Sequence, residues 1–246
     1  MHGEPGIAMA GNPYARLVIA RIEFDYHLLP DPSPSRELAE KGARANRTYV
    51  NFMKREGVCV VNMSWGGSVK DHEHQLELCN IGKTPEERKK IAREYFEIEK
   101  KGLTEAIASA PGILFVTAAG NSNEDASFVE NIPAGIVLPN LLAVGAVDKA
   151  GDEASFTSYG PTVKVHANGY QVESLLPGGD KVALSGTSMA SPQVANLAAK
   201  ILAVNPKLRP PEVIDIIVKT AEKTADGRRA LIEPARAVAA AERHAT

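Results

Sequence analysis

The feature that most restricts how this chain can fold is a series of short, almost wholly apolar runs separated by helical patterns. The runs are Leu17–Ile22, Val58–Ser64, Ile113–Ala119, Leu141–Val147 and, more briefly, Val163–Val165. A strand with one wet face alternates apolar and polar residues, whereas a continuous apolar run is buried on both faces. Such strands alternating with helices predict an α/β fold, a mostly parallel central sheet covered on both sides. Residues 28 to 35 are proline-rich and read as a loop. Ser35 then caps a helix to about Glu56, which Gly57 ends. Residues 68 to 110 are charge-rich and mostly helical, with Thr84 and Glu87 as a capping box around Pro85. The tail carries an amphipathic helix from Pro211 (Val213, Ile216, Ile217, Ala221) and an Ala-rich helix after Pro234. With no internal repeat or linker, the expectation is a single domain, residues 1–246, holding a charged helical insertion at 68–106.

Composition narrows the function classes. The chain has 246 residues, 44% hydrophobic and 24% charged, ordinary proportions for a soluble globular protein. A net charge of -2 gives no field that would favour nucleic acid, and no apolar run approaches a membrane span. Neither nucleic acid nor membrane is therefore expected as a partner. Cys59 and Cys79 make no disulfide framework, and Cys59 reads as a small buried hydrophobe. Met1-His2-Gly3-Glu4-Pro5 lacks the basic head and apolar run of a signal peptide. Compartment and oligomeric state stay open.

The densest chemistry lies in Leu-Ser-Gly-Thr-Ser-Met-Ala-Ser-Pro, residues 184 to 192. Gly186 permits a tight turn, Ser188 falls where a helix begins, and Pro192 is expected in the first turn, where its missing N–H is not needed. Val194, Ala195, Leu197, Ala198, Ile201 and Leu202 follow at helical spacing. A hydroxyl there sits beside unpaired N–H groups and the positive end of the helix dipole, a setting that suits attack on a carbonyl. The plainer reading is an ordinary serine cap. Asn121, directly after the third apolar run, is placed either to donate to a developing oxyanion or simply to hold a turn in Gly-Asn-Ser-Asn.

The string Gly186 through Pro192 resembles the serine motif of the subtilisin-like serine peptidases (subtilases, peptidase S8), in which the serine of Gly-Thr-Ser-Met-Ala is the nucleophile. Ala118-Ala119-Gly120-Asn121 resembles the family's oxyanion asparagine motif, and Ser64-Trp65-Gly66-Gly67 the segment whose backbone pairs with an extended substrate. The resemblance implies a three-layer subtilisin-like fold and a serine endopeptidase. Ser188 would form the acyl-enzyme and Asn121 the oxyanion hole. Ser64, Trp65 and Gly66 would bind substrate, while Ala118 and Gly120 line a pocket, read as open, for the residue before the cut bond. A peptide or protein is the implied partner. No cofactor is assigned; calcium is implied by the family alone, and no metal site is read.

The rest of the triad departs from the pattern. His2-Gly3 resembles the start of the family's His-Gly-Thr-His-Val-Ala-Gly motif and Gly6-Ile7-Ala8 its end, with Glu4-Pro5 between them. His2 is the candidate base, its alternative a frayed terminal residue. The family's aspartate precedes its histidine, and here only Met1 does; no Asp-Ser-Gly or Asp-Thr-Gly string occurs, and nothing matches Asp25 to that role. In a subtilisin, loss of the aspartate lowers kcat by about 3 × 10⁴. The expectation is a subtilase core whose N-terminal strand lies upstream or is lost, leaving a sheet edge open. A catalytically inactive peptide-binding module is the alternative. A nucleotide-binding domain is disfavoured for want of a Gly-x-Gly-x-x-Gly string. Asp71-His72-Glu73-His74 reads as a solvated stretch before a metal site, and His166 as structural.

Overall fold

The computed structural model describes residues 4–12, 15–20, 33–128, 130–176 and 178–244. In chain order the elements are α1 (Glu4–Met9), α2 (Arg36–Arg55), β1 (Val60–Met63), α3 (Val69–Leu78), α4 (Pro85–Ala108), β2 (Leu114–Ala118), β3 (Leu141–Val147), β4 (Val163–Asn168), β5 (Val172–Leu175), β6 (Lys181–Leu184), α5 (Thr187–Val204), α6 (Pro210–Thr220), β7 (Glu222–Lys223), β8 (Ala230–Leu231) and α7 (Pro234–Arg243). They fall into two compact units. One takes Met1–Leu17, Val58–Gly66 and Pro111–Thr246; the other takes Val18–Gly57 and Gly67–Ala110.

In the first unit the apolar runs form a sheet of order β1-β2-β3-β4-β8-β7. Pairing is parallel from β1 through β8, and β7 is antiparallel to β8. Every residue of β2 and all but the first of β3 are buried, as their unbroken apolar character requires. α5 packs across β1 to β4, joining Val194, Leu197 and Ile201 to Leu114, Val116, Leu142, Val144 and Val165 in one core. Each such side chain stabilises the fold by roughly 1.5–3 kcal/mol. Because Met63 pairs in parallel with Thr117, the segments leaving β1 and β2 emerge side by side. That register brings Ser64 out at the same end of the sheet as Ala118.

The second unit is helical and holds α2, α3 and α4. Ser35 caps α2 through a hydrogen bond from the Leu38 N–H at 3.1 Å. Thr84 Oγ1 accepts from the Glu87 N–H at 3.2 Å, but the Glu87 carboxylate accepts from Lys83 rather than from Thr84, so the capping box is only half closed. Gly102 of α4 lies directly on Ala43 of α2, a closeness only glycine permits.

Two expectations change. Leu17–Ile22 is not a strand where it is described: residues 17–20 have no ladder, and Leu17 and Ile19 are 46% and 50% exposed. An extended segment without a hydrogen-bonding neighbour gains nothing from strand geometry; Arg21 and Ile22 lie outside the described residues. Cys59 is exposed, because it precedes the first ladder pair on β1, an edge strand among the described residues. The antiparallel pairs β5–β6 and β7–β8 had no signal as apolar runs, since they are short and half exposed.

Candidate active site

At the start of α5 the Ser188 backbone donor is left without an acceptor among the described residues. A helix begins with N–H groups that lack partners. Here the Gly186 N–H donates to Gly169 O at 2.8 Å, the Thr187 N–H to Asn121 Oδ1 at 2.9 Å and the Met189 N–H to Gly186 O at 3.0 Å. Gly186, at φ +155, makes this entry possible. The Ser188 N–H has no acceptor among the described residues. Ser188 itself is the second residue of α5, and Gly186 is the cap residue, so Ser188 does not cap the helix.

Pro192 lies deeper than expected, as the sixth residue of α5 and inside the helix. There its missing N–H is felt: it would have bonded to the Ser188 carbonyl one turn earlier. Ser64 fills that place, its Oγ donating to Ser188 O at 2.9 Å. In return Ser188 Oγ donates to Ser64 O at 3.3 Å. These reciprocal bonds fasten the nucleophile candidate to the segment after β1. Asn62 braces them, donating from Nδ2 to Ser64 Oγ at 3.0 Å and accepting at Oδ1 from Ser191 Oγ at 2.7 Å.

Asn121 is oriented from behind. Its Oδ1 accepts from both the N–H and the Oγ1 hydroxyl of Thr187, each at 2.9 Å. Thr187 Oγ1 in turn accepts from the Gly120 N–H at 3.2 Å. With the amide oxygen doubly engaged, the amide NH2 is left as the outward donor, and it lies 3.4 Å from where a β-carbon on Gly186 would stand. The Asn121 amide and the Ser188 N–H thus share the same helix start. Such preorganised donors hold developing negative charge without having to reorganise.

The structure therefore brings together Ser188, Asn121, Ser64, Gly66 and Gly120, with Ala118 buried at the end of β2 and Trp65 37% exposed. His2, the candidate base, and Asp25 lie outside the described residues. No histidine among the described residues is hydrogen-bonded to Ser188. Asp71 closes a capping box with Ser68 and His72 pairs with Glu99 at 3.2 Å; among the described residues no three His, Cys, Asp or Glu side chains are grouped to hold a metal. His166 sits in β4, 5% exposed, its Nδ1 accepting from the Ala230 N–H at 3.4 Å. Burial first, and the nearby Arg229 cation second, push its pKa down to about 4. Thr187, Asn62 and Ser191 were missed as positioning residues. Asn62 carried a signal, being an amide inside an apolar strand, where buried polar groups need partners.

A sequence profile described as the subtilase family matches residues 15–233. Subtilisin from Bacillus pumilus is 40% identical over 114 residues, which is 46% of this chain and 41% of that protein. Subtilisin E from Bacillus subtilis is also 40% identical over 114 residues, 30% of its length. The chain thus spans less than half the length of these relatives. Among solved structures, a protease from Pseudoalteromonas arctica superposes with TM-score 0.57 at 26% identity, covering 74% of this chain and 51% of that one. A cold-adapted subtilisin-like serine proteinase gives 0.56 at 28% identity, covering 75% and 59%. With the profile spanning most of the chain and the serine and asparagine motifs meeting at one helix start, this chain belongs to the subtilase family.

Proposed function

We propose that this chain is a serine endopeptidase acting through Ser188. The observation that carries the reading is the start of α5, where a hydroxyl, an unpaired N–H and an amide held by its oxygen share one helix mouth. Ser188 Oγ attacks a peptide carbonyl, and its proton passes to His2. The oxyanion is held by the Ser188 N–H and the Asn121 amide NH2. The imidazolium then protonates the leaving amine, and water hydrolyses the acyl-enzyme by the reverse sequence. An extended substrate lies along Ser64, Trp65 and Gly66 with its next side chain beside Ala118 and Gly120.

One observation favours the second reading, an inactive peptide-binding module: the Ser188 hydroxyl donates to a carbonyl, Ser64 O. An alkyl fluorophosphonate separates the two. The peptidase reading predicts a stoichiometric adduct on Ser188, located by peptide mass mapping and absent from Ser188→Ala. Equal labelling of both proteins, or none of either, refutes it.

A further inference from the structure

α1 is six residues long, too short to hold itself as a helix, so its position depends on what grips it. A helix end leaves carbonyls without partners. Here the Ala10 and Asn12 N–H groups donate to Ile7 O at 3.2 Å and Met9 O at 3.0 Å. The alternate carbonyls go to one side chain: Asn196 Nδ2 of α5 donates to Ala8 O at 2.8 Å and to Ala10 O at 3.0 Å. Asn196 is 8% exposed and stands between the core residues Ala195 and Leu197, where an amide needs its donors used. Lys200, one turn further along α5, reaches Ala10 O with Nζ at 3.4 Å. A β-carbon on Gly11 would stand 3.5 Å from the same Nζ. Later residues of the α1 segment thus meet later residues of α5, and the two helices run in the same direction. Apolar packing is incomplete on one flank, where a cavity of about 520 Å³ opens between Ile7, Ala10, Val172, Leu175 and Leu197.

We propose that Asn196 is a positioning residue for the reaction: its amide clamps the end of α1 and so sets how far the segment carrying His2 stands from Ser188. This rests on the reading that His2 is the general base. Because the helices run the same way, the chain ahead of α1 leads toward the start of α5. Ser188 lies eight residues before Asn196, roughly 12 Å along α5 at the rise of an α-helix. From Ala8 back to Glu4 the same rise covers about 6 Å. The two residues ahead of Glu4 add at most ~7 Å. The reach of His2 therefore closely matches the span to Ser188. A base must come within hydrogen-bonding distance of the proton it takes. With nearly all the reach used, slack at the α1 anchor passes to the base, and a misplacement of about 1 Å can cost 10²-fold in rate. Alanine at position 196 would keep α5 helical and leave the Ala8 carbonyl bare.

The test reads placement and chemistry separately. On a Cys59→Ser, Cys79→Ser background of the full chain, His2→Cys and Ser188→Cys are combined, and disulfide formation in glutathione disulfide is timed by peptide mass mapping. The cross-link forms, and adding Asn196→Ala slows it at least tenfold in a chain that thermal unfolding shows to be folded. Asn196→Gln, whose extra methylene has room in the adjoining cavity, restores most of the rate. Asn196→Ser serves the same comparison where the alanine variant does not fold. In the chain with its native His2, Asn196→Ala slows fluorophosphonate labelling of Ser188 at least tenfold, and it costs nothing further on a His2→Ala background. Equal cross-linking with and without Asn196, no cross-link in either, or the same loss of labelling on both backgrounds overturns the assignment. A cross-link that depends on Asn196 in a chain that takes no label keeps the placement and removes the reaction. Labelling that depends on His2 but not on Asn196 does the opposite.

Discussion

At the scale of single residues, the site depends on which end of an amide is held. Thr187 takes the Asn121 oxygen with two hydrogen bonds and so decides that the NH2 faces outward. Removing the donor altogether, in Asn121→Ala, should lower the rate of Ser188 acylation by about 10²–10³, the magnitude found when a subtilisin loses its own oxyanion asparagine. Thr187→Val keeps the shape of the side chain and the backbone N–H bond but deletes the hydroxyl. It should cost roughly tenfold, the scale of one modest hydrogen bond. Both follow from fluorophosphonate labelling rates, and a Thr187→Val rate equal to wild type would mean the hydroxyl does not orient the amide. The serine and asparagine were legible because each stands in a distinctive string. The placement of Asn131 beside Gly66 and Gly120 was not, because it comes from a loop folding back onto glycines distant in sequence.

At the scale of elements, α5 is interrupted by its own proline and repaired by another segment. The Ser64 hydroxyl serves the carbonyl that Pro192 leaves unpartnered. Ser64→Ala should therefore destabilise the fold by about 1 kcal/mol, read from urea unfolding. The same change made on a Pro192→Ala background should cost close to nothing, since the restored N–H takes the carbonyl. Equal costs on both backgrounds would break the link between the two residues. β4 offers a second test. His166 is held neutral, its pKa lowered from 6.5 to about 4. The unfolded chain then binds more protons between those values, so stability is full above pH 6.5 and falls as pH drops toward 4, by about 3 kcal/mol in all. His166→Leu should flatten that part of the profile in pH-dependent denaturation, and an unchanged slope would contradict the assignment. Helices and buried parallel strands were legible from period and caps. β5–β6 and β7–β8 were not, because short half-exposed strands leave no period to read.

At the scale of the whole molecule, the described residues form two compact units, and the site belongs to the sheet-bearing one. Its placement follows from parallel register, which sends consecutive strands' outgoing segments to one end of the sheet. The apolar run Leu17–Ile22 shows the limit of reading strands locally: four described residues of it stay outside any ladder, because strand formation is decided by a neighbour the run itself does not encode. The central claim is that Ser188 and Asn121 act on one bound carbonyl. A crystal structure with a peptide boronic acid ending in alanine tests it most directly. The account predicts boron bonded to Ser188 Oγ, with one boronate oxygen within hydrogen-bonding distance of both the Ser188 N–H and Asn121 Nδ2. A boronate bound away from Ser188, or bound there with the Asn121 amide turned aside, would contradict it.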